Sequence, residues 1–593
     1  MFDLEEFRAN LRLDGATLEP RTIPIIYTPP TGEDRHAALV FRVGRAHETV
    51  RLGGITHLVE HMASPPSQAY QHNAYVGPDH TVFGVGGTED QVIDHLRHVV
   101  EAMAELPEER FEPELRILKI ETKDFRTGPE ATLLSMRFGA VGFGLLNYPQ
   151  FGLRSIRYEQ AREWAQTRFV GTNCVLWTDS ERVMSMAFEL PAGGPAGDPP
   201  GESLGLDYPV RATGAGAWIG GAMLVQRSAA ARASLAVLTR RLYGELRLKH
   251  GYSYKIVPGY LPLASSVAHL TIWADTSPEH ADEAAVAYRR ILSEVGDTCE
   301  ADEVAASLPK EGPKPEPANL AMTAAHLLLQ RRQYKAWDEL NQENRAVTET
   351  TVSSTIREAL ESLVWVAGAA GEASAPDNAW TNSSKVPPVD GQRLNRFVFT
   401  NDRLAKATLV VGDQGVSRLH PSGDLTVRFD QCAAGLWWHN GHRTLIGNDG
   451  TVLEIVPRSW ESGVNVVKML NLALDKNLWI PMEDGPPVSN LLPRPTAGSR
   501  KKPESDEPVV REAGNPRETA ILITAGLVAL LGPLLILVGI QIAGIDRGSA
   551  YWTGGFGVVM LVGGGSAVGR VLRSRLRRRR QRKAIEQAGQ TVA

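Results

Sequence analysis

The sequence predicts an α+β protein with several domains and a membrane-spanning C-terminal end. Its 593 residues exceed what one hydrophobic core usually organises, so more than one domain is expected. A run of short strand patterns between positions 397 and 455, followed by a helical pattern, predicts a small β-rich domain. Two long apolar stretches, 519–545 and 550–569, predict a pair of transmembrane helices.

The motif H-x-x-E-H at positions 57–61 predicts a metal-binding helix. His57 and His61 are four residues apart and Glu60 is three from His57, so in a helix their side chains share one face. Two imidazoles one turn apart can bind one Zn²⁺, and a neighbouring carboxylate can take a proton from water that the metal activates. A glycine pair ends the preceding structure, and Thr56 is expected to cap the helix. A chance match in a chain with 15 histidines is the alternative interpretation.

A second helical pattern, in residues 111–123, offers the third ligand that a tetrahedral catalytic zinc site needs. Glu114 and Glu121 are seven residues apart and therefore lie on one face, two turns from each other. One of them can bind the metal while the other hydrogen-bonds to a metal ligand and orients it. The alternative is an ordinary solvated acidic face, which is the more common role of such residues.

Together these two patterns resemble the pitrilysin family of zinc metallopeptidases, which includes insulin-degrading enzyme and the mitochondrial processing peptidase. In that family H-x-x-E-H is followed by a ligating Glu, with another Glu seven residues before it. The resemblance implies that His57, His61 and Glu121 bind Zn²⁺. It also implies that Glu60 is the general base and that Glu114 supports the ligands. It further implies two α/β halves that form a clamshell.

The sequence around the motif fits the same family, with one departure. The residues before the motif, including Glu48, match the family's approach to it. Asn73 and Ala74 match its substrate-binding strand. The departure is the spacing, because Glu121 follows His61 by 60 residues, which is fewer than in the family. The shortened segment predicts a more open cleft or an altered activity.

A second half is expected after a Gly- and Pro-rich linker at 191–206. One segment of it resembles a segment of the family's non-catalytic half, in which an Arg and a Tyr hold the substrate. The matching positions are Arg247 and Tyr254, and both side chains can bind substrate carbonyls or stabilise an oxyanion. The alternative is an ordinary helix end followed by a strand. The expected boundaries are 1–190 for the catalytic half and 207–390 for the second half.

Residues 391–486 are expected to form the small β-rich domain. Six strand patterns and a closing helical pattern at 459–474 resemble a pleckstrin-homology-like (PH-like) barrel in order and size. Trp437 and Trp438 either contact a lipid or peptide or pack into the core. The polar, proline-rich residues 487–516 are expected to be a disordered linker. The strand patterns lie at 397–399, 408–411, 425–429, 435–438, 443–447 and 451–455.

The apolar stretches predict transmembrane helices at 519–545 and 550–569. Arginines and lysines flank both outer ends, and such flanks usually lie in the cytoplasm. This places the body and the basic tail, residues 570–593, on the cytoplasmic side of the cell membrane. The tail is expected to contact anionic lipid headgroups rather than nucleic acid. A buried core hairpin is the alternative interpretation.

The overall composition adds few constraints. The hydrophobic content of 43% and the charged content of 22% are typical of globular proteins, and the net charge of −5 indicates no particular partner. Three distant cysteines, Cys174, Cys299 and Cys432, suggest neither a disulfide framework nor a thiolate metal site, which fits a reducing compartment. The first residues lack the features of a secretory signal. Frequent Ala, Gly and Arg are typical of a high-GC bacterium.

The sequence therefore favours a membrane-anchored zinc endopeptidase that hydrolyses peptides or unfolded segments on the cytoplasmic side. The second hypothesis is a membrane-tethered binding or assembly protein that has the fold without the catalysis. A third is a peptidase that needs another pitrilysin-like subunit, in a homo- or hetero-oligomer, to complete its chamber. The complete metal set favours the first hypothesis, and the shortened segment after His61 favours the second.

Overall fold

The computed structural model describes residues 2–483 apart from short gaps. The gaps are residues 67–70, 124, 126, 203–207, 214–217, 264–265, 310–312, 368–378, 381–385, 398–405 and 422. The chain divides into two compact units, of which the first comprises residues 1–308 and 325–498 and the second comprises residues 309–324 and 499–593. The described residues of the second unit are 309 and 313–324, which include the beginning of a helix, Pro317–Leu329.

Six strands form the sheet of the first half: β1 Thr17–Glu19, β2 Ile25–Tyr27, β3 Arg35–Phe41, β4 Gln71–Val76, β5 Thr81–Gly87 and β6 Cys174–Thr178. Their order is β1-β2-β6-β3-β5-β4, and β2 pairs with β6 in parallel while the other neighbours are antiparallel. Five consecutive buried residues in β3 show that both faces of the sheet centre are covered. The helices are α1 Leu4–Leu13, α2 Ile55–Ala63, α3 Glu89–Ala104, α4 Glu108–Glu121, α5 Pro129–Phe138, α6 Tyr158–Arg168 and α7 Glu181–Ser185.

A second six-stranded sheet follows the linker: β7 Val210–Thr213, β8 Trp218–Gln226, β9 Ile256–Pro262, β10 Val267–Asp275, β11 Val364–Ala367 and β12 Ala379–Trp380. Its order is β12-β7-β11-β8-β10-β9, with β8 and β10 antiparallel over their whole lengths. The helices are α8 Ala229–Leu242, α9 Ala281–Asp297, α10 Ala301–Ala305, α11 Pro317–Leu329, α12 Trp337–Arg345 and α13 Glu349–Leu360. Apolar side chains of α8, α9 and α13 share one buried core with β8 and β10.

Helix α5 precedes the linker in sequence but packs against the second sheet. Leu133 and Met136 share a buried cluster with side chains of β7, β8 and β11. Arg137 is fully buried, and its guanidinium donates to the carbonyl oxygen of Ser362 and pairs with Glu202 at 2.8 Å. A buried guanidinium needs such partners, because leaving it unpaired would be costly. The two halves are therefore joined by more than the linker.

The β-rich domain contains two four-stranded sheets. The first is β13 Gln392–Asn395, β14 Thr408–Gly412, β15 Gly415–Leu419 and β16 Leu425–Arg428, all antiparallel. The second is β17 Cys432–Trp437, β18 Arg443–Gly447, β19 Val452–Ile455 and β20 Trp479–Pro481, with β20 parallel to β17. Helix α14, Gly463–Ala473, precedes β20.

Most of the strand patterns predicted in this domain correspond to strands. The pattern at 397–399 stays a prediction, because Phe397 lies outside the strands but the other two positions lie outside the described residues. The closing helix starts later than predicted, after a 3-10 turn, Pro457–Ser459, and a left-handed residue, Ser462. Trp438 is buried, which agrees with the alternative in which a residue of the tryptophan pair packs into the core. The PH-like resemblance stays a prediction.

The predicted linker 487–516, the predicted transmembrane helices 519–545 and 550–569, and the tail 570–593 lie outside the described residues. Within the part of the chain that the structure describes, every helix is too short or too polar to cross a bilayer. The membrane anchor therefore stays a prediction from the sequence.

Lowering the pH is expected to destabilise the first half through His95. This side chain is 2% exposed on α3, and burial, assisted by the nearby His72, lowers its pKa to about 3. In the unfolded chain this histidine binds a proton below about pH 6.5, whereas in the folded chain it stays neutral down to about pH 3. The free energy of unfolding therefore decreases as the pH is lowered from about 6.5 to about 3, by up to about 1.4 kcal/mol per pH unit. We expect the urea midpoint to be lower at pH 5 than at pH 7, with a smaller difference in His95→Leu. An identical pH dependence in the variant would contradict this assignment.

Candidate metal centre

Helix α2 carries the H-x-x-E-H motif, and a buried acidic side chain caps its first turn. The Glu48 carboxylate accepts hydrogen bonds from the N–H groups of Gly54 at 2.9 Å and Thr56 at 3.0 Å. Burial raises the pKa of Glu48, while the Arg45 guanidinium and these N–H donors oppose the shift. The prediction that Thr56 caps the helix is wrong, because Gly54, with φ of +95°, turns the chain and the helix begins before Thr56.

The structure brings His57, His61 and Glu121 together, although α2 and α4 are distant in sequence. Nε2 of His57 lies 3.9 Å from Oε1 of Glu121, and Nε2 of His61 lies 3.8 Å from Oε2 of Glu121. One ligand atom of each residue lies within 4.8 Å of the other two. Zinc bonds of about 2.0–2.1 Å at tetrahedral angles separate ligand atoms by about 3.3 Å, so small side-chain rotations would close the set. The residues present therefore fit Zn²⁺.

The Nδ1 atom of each imidazole contacts a supporting side chain. His61 Nδ1 lies 3.1 Å from Oε2 of Glu114, whose Oε1 accepts a 2.7 Å bond from Arg110. His57 Nδ1 lies 3.3 Å from Oε1 of Gln150. In the tautomer with the proton on Nδ1, each ring donates to its partner and presents Nε2 to the other ligands. Glu114 thus lies where a supporting carboxylate is expected.

The sequence analysis does not assign the roles of three residues in this arrangement. Glu48 precedes the motif, but nothing in its spacing indicates that it caps α2. Arg110 is four residues before Glu114 on α4, and this spacing does predict an ion pair. Gln150 lies 93 positions from His57, and no local pattern points to it.

Glu60 is buried beside the two imidazoles. Its Oε2 lies 3.8 Å from Nε2 of His57 and 3.8 Å from Nε2 of His61, and Ser64 Oγ donates to Oε1 at 3.3 Å. Burial raises the pKa of Glu60 to about 7, against the lowering effects of His61 and Ser64. A bound cation would lower this pKa. A carboxyl group beside both imidazoles is placed to accept a proton from water and to return it.

Asn73 and Ala74 lie on β4, the edge strand of the first sheet, which packs beside α2. One side of β4 pairs with β5, so that Asn73 lies opposite Gly84 and Ala74 opposite Phe83. Among the described residues, no strand pairs with its other side. An open edge can accept an extended peptide as an additional strand. The substrate-binding role of Asn73 and Ala74 stays a prediction.

Arg247 and Tyr254 are brought together at the end of α8. Arg247 lies in a π-helical turn, Tyr243–Lys249, that extends α8. Its guanidinium donates to the carbonyl oxygen of Tyr254 at 2.9 Å and lies 4.6 Å from the centroid of the Tyr254 ring, which is largely exposed. In the described part of the chain, neither residue has a hydrogen bond or ring contact with the three metal ligands. Their role in substrate binding stays a prediction.

Comparison with known proteins identifies the fold. No protein-family model matches the chain, and no curated protein matches its sequence. A peptidase M16 inactive domain from Pseudomonas fluorescens is 12% identical, with 60% of this chain and 97% of that chain covered and a TM-score of 0.51. The periplasmic protease PqqL from Escherichia coli is also 12% identical, with 68% of this chain and 56% of that chain covered and a TM-score of 0.50.

At this level of identity the likeness concerns the fold alone. The chain has the mixed α/β fold of M16, or pitrilysin-like, peptidase domains. The mixed α/β fold expected for the two halves is therefore confirmed. Peptidase activity, zinc binding and the membrane anchor stay predictions.

Proposed function

We propose that this chain is a zinc-dependent endopeptidase that hydrolyses peptides or unfolded segments. The observation that carries the proposal is the convergence of His57, His61 and Glu121 beside the buried carboxyl group of Glu60. The M16 fold supports it. One protein with this fold is described as an inactive domain, so the fold by itself does not separate an enzyme from a binding protein. The choice between these two functions rests on the residues of the metal site.

Each part of the site has a chemical role in this proposal. Bound Zn²⁺ would supply a Lewis acid that polarises the scissile carbonyl and makes water more acidic. Glu60 would take a proton from the attacking water and pass it to the leaving amine. An extended substrate would add to the open edge of β4 at Asn73 and Ala74. Arg247 and Tyr254 would hold the substrate from the second half.

Removing zinc is expected to abolish peptide hydrolysis, and restoring it is expected to restore hydrolysis. The purified full chain should contain a single Zn²⁺ and cleave members of a peptide library, because the three ligands form one site. Zinc content and cleavage are measured before chelation, after it and after reconstitution. The same cycle with His57→Ala should recover neither zinc nor cleavage. Cleavage that continues in the zinc-free wild type would contradict the proposal.

We also propose that residues 519–545 and 550–569 anchor this peptidase to the cell membrane with its body in the cytoplasm. The proposal rests on their apolar composition and on the basic residues at both outer flanks. The full chain is expected to float with membranes after an alkaline carbonate wash, whereas a chain ending at residue 486 is expected to stay in the soluble fraction. A full chain that the wash releases completely would contradict the anchor.

A further inference from the structure

We infer that Gln150 positions His57 for zinc binding and that the β-rich domain holds Gln150 in place. The inference rests on the proposed zinc site and adds a function for residues 392–482. It starts from the way His57 is held. His61 is supported from within α4 by the charged pair of Glu114 and Arg110. His57 is supported by an uncharged amide that belongs to a different part of the chain.

The amide of Gln150 is close to His57 and leaves its metal-binding nitrogen accessible. Oε1 of Gln150 lies 3.3 Å from Nδ1 of His57, and Nε2 of Gln150 lies 3.2 Å from the same atom. When the imidazole binds a metal through Nε2, Nδ1 carries the proton and donates it to Oε1. With its amide oxygen as the acceptor, Gln150 would hold His57 in the tautomer and ring orientation that zinc binding requires.

The backbone around Gln150 is locked against the start of α2. Gly152 lies so close to Gly53 that a Cβ at position 152 would be 2.7 Å from the Gly53 carbonyl oxygen. A Cβ at Gly54 would likewise meet Oε1 of Gln150 at 2.7 Å. These approaches show that the two backbones pack closely at this point. A shift of the 3-10 turn Phe151–Arg154 would therefore move Gln150 relative to His57.

The β-rich domain also packs against this segment. We call residues 50–52 and 148–155 the connector. Phe151 of the connector is 1% exposed and shares a buried cluster with Leu436 and Ile480 of the β-rich domain. Arg51 of the connector donates to the carbonyl oxygen of Asn477 at 2.7 Å. The connector thus contacts both the start of the metal-binding helix and the β-rich domain, and packing changes in that domain act on His57 through Gln150.

The first experiment measures the zinc dissociation constant of the full chain by chelator competition, without substrate. Gln150→Leu should weaken zinc binding by about 10–100-fold, the usual effect of losing a partner behind a metal ligand. Gln150→Glu should bind zinc at least as tightly as the wild type, because a carboxylate accepts the Nδ1 proton more strongly. If Gln150 merely filled space, both variants would bind zinc like the wild type, because Leu and Glu are close to Gln in size. A dissociation constant in Gln150→Leu within twofold of the wild type would overturn the inference.

The second experiment compares two buried leucines of the β-rich domain. Leu436 faces the connector, whereas Leu445, on the adjacent strand, lies in the domain's own core, and both are fully buried. Leu436→Ala should weaken zinc binding by about 2- to 30-fold, the range of coupling through packed side chains. Leu445→Ala should leave zinc binding unchanged at a temperature below both unfolding transitions. Equal effects of the two substitutions would overturn the role assigned to the domain.

The outcome for the wild type separates this inference from the proposed function. A wild-type chain that binds no zinc overturns the proposed function and this inference with it. A wild-type chain that binds zinc, with Gln150→Leu binding it equally well, overturns this inference and leaves the peptidase proposal standing. Thermal unfolding of each metal-free variant, followed by circular dichroism, identifies any variant whose weaker zinc binding reflects global unfolding.

Discussion

Glu60→Gln is expected to bind zinc and to lose peptide hydrolysis. The substitution preserves the size of the side chain, and Glu60 is not one of the three clustered ligands. It removes the group that accepts a proton next to both imidazoles. General acid–base catalysis of this kind contributes about 10²–10⁴-fold to a rate. We therefore expect kcat to fall by at least about 100-fold while zinc remains bound. The measurement is zinc content together with kcat on a library-derived peptide.

A matched substitution at an exposed position controls for the loss of charge. Glu101→Gln, on the solvent side of α3, removes a carboxylate without touching the site, and its zinc content and kcat should equal those of the wild type. Two results count against the assigned role of Glu60. One is wild-type turnover in Glu60→Gln, which would favour another base. The other is loss of zinc in that variant, which would make Glu60 part of the metal-binding set.

The parts of the site that follow helical periodicity could be predicted from the sequence. The spacing of His57, Glu60 and His61 determines their common face once α2 forms. The spacing of Glu114 and Glu121 does the same on α4. The short interval between His61 and Glu121 was a reason to expect an altered site. The structure brings Glu121 to the imidazoles despite that interval, because α2 and α4 pack directly against each other.

The parts that depend on tertiary contacts could not be predicted. Gln150 reaches His57 from 93 positions away, where the turn that follows it packs against the glycines before α2. Helix α5 packs against the second sheet although it precedes the linker, and its composition does not reveal which of two apolar surfaces it covers. Strand β15 was missed because an apolar pattern as short as Gly415–Leu419 does not separate a strand from a turn. In each case long-range packing decides between local alternatives.

Glu121→Gln is expected to weaken zinc binding more than Glu114→Gln does. Both substitutions remove one carboxylate from the same face of α4 and keep the side-chain size. Glu121 lies 3.8–3.9 Å from the two Nε2 atoms, so its loss removes a metal ligand. Glu114 contacts Nδ1 of His61, so its loss removes only the support behind a ligand. The second change should raise the zinc dissociation constant by about 10–100-fold, and the first should exceed that range.

A third variant on the same helix separates ligation from the general charge of α4. Glu112→Gln removes an exposed carboxylate whose only described ion pair is with Arg116, and it should leave the zinc dissociation constant unchanged. Glu121 is itself 54% exposed, so Glu121→Gln should unfold at the wild-type temperature when both proteins are free of metal. Tighter zinc binding by Glu121→Gln than by Glu114→Gln would reverse the assignment. Glu114 would then be the ligand and Glu121 the supporting residue, because the two carboxylates are the alternatives that α4 offers to one metal.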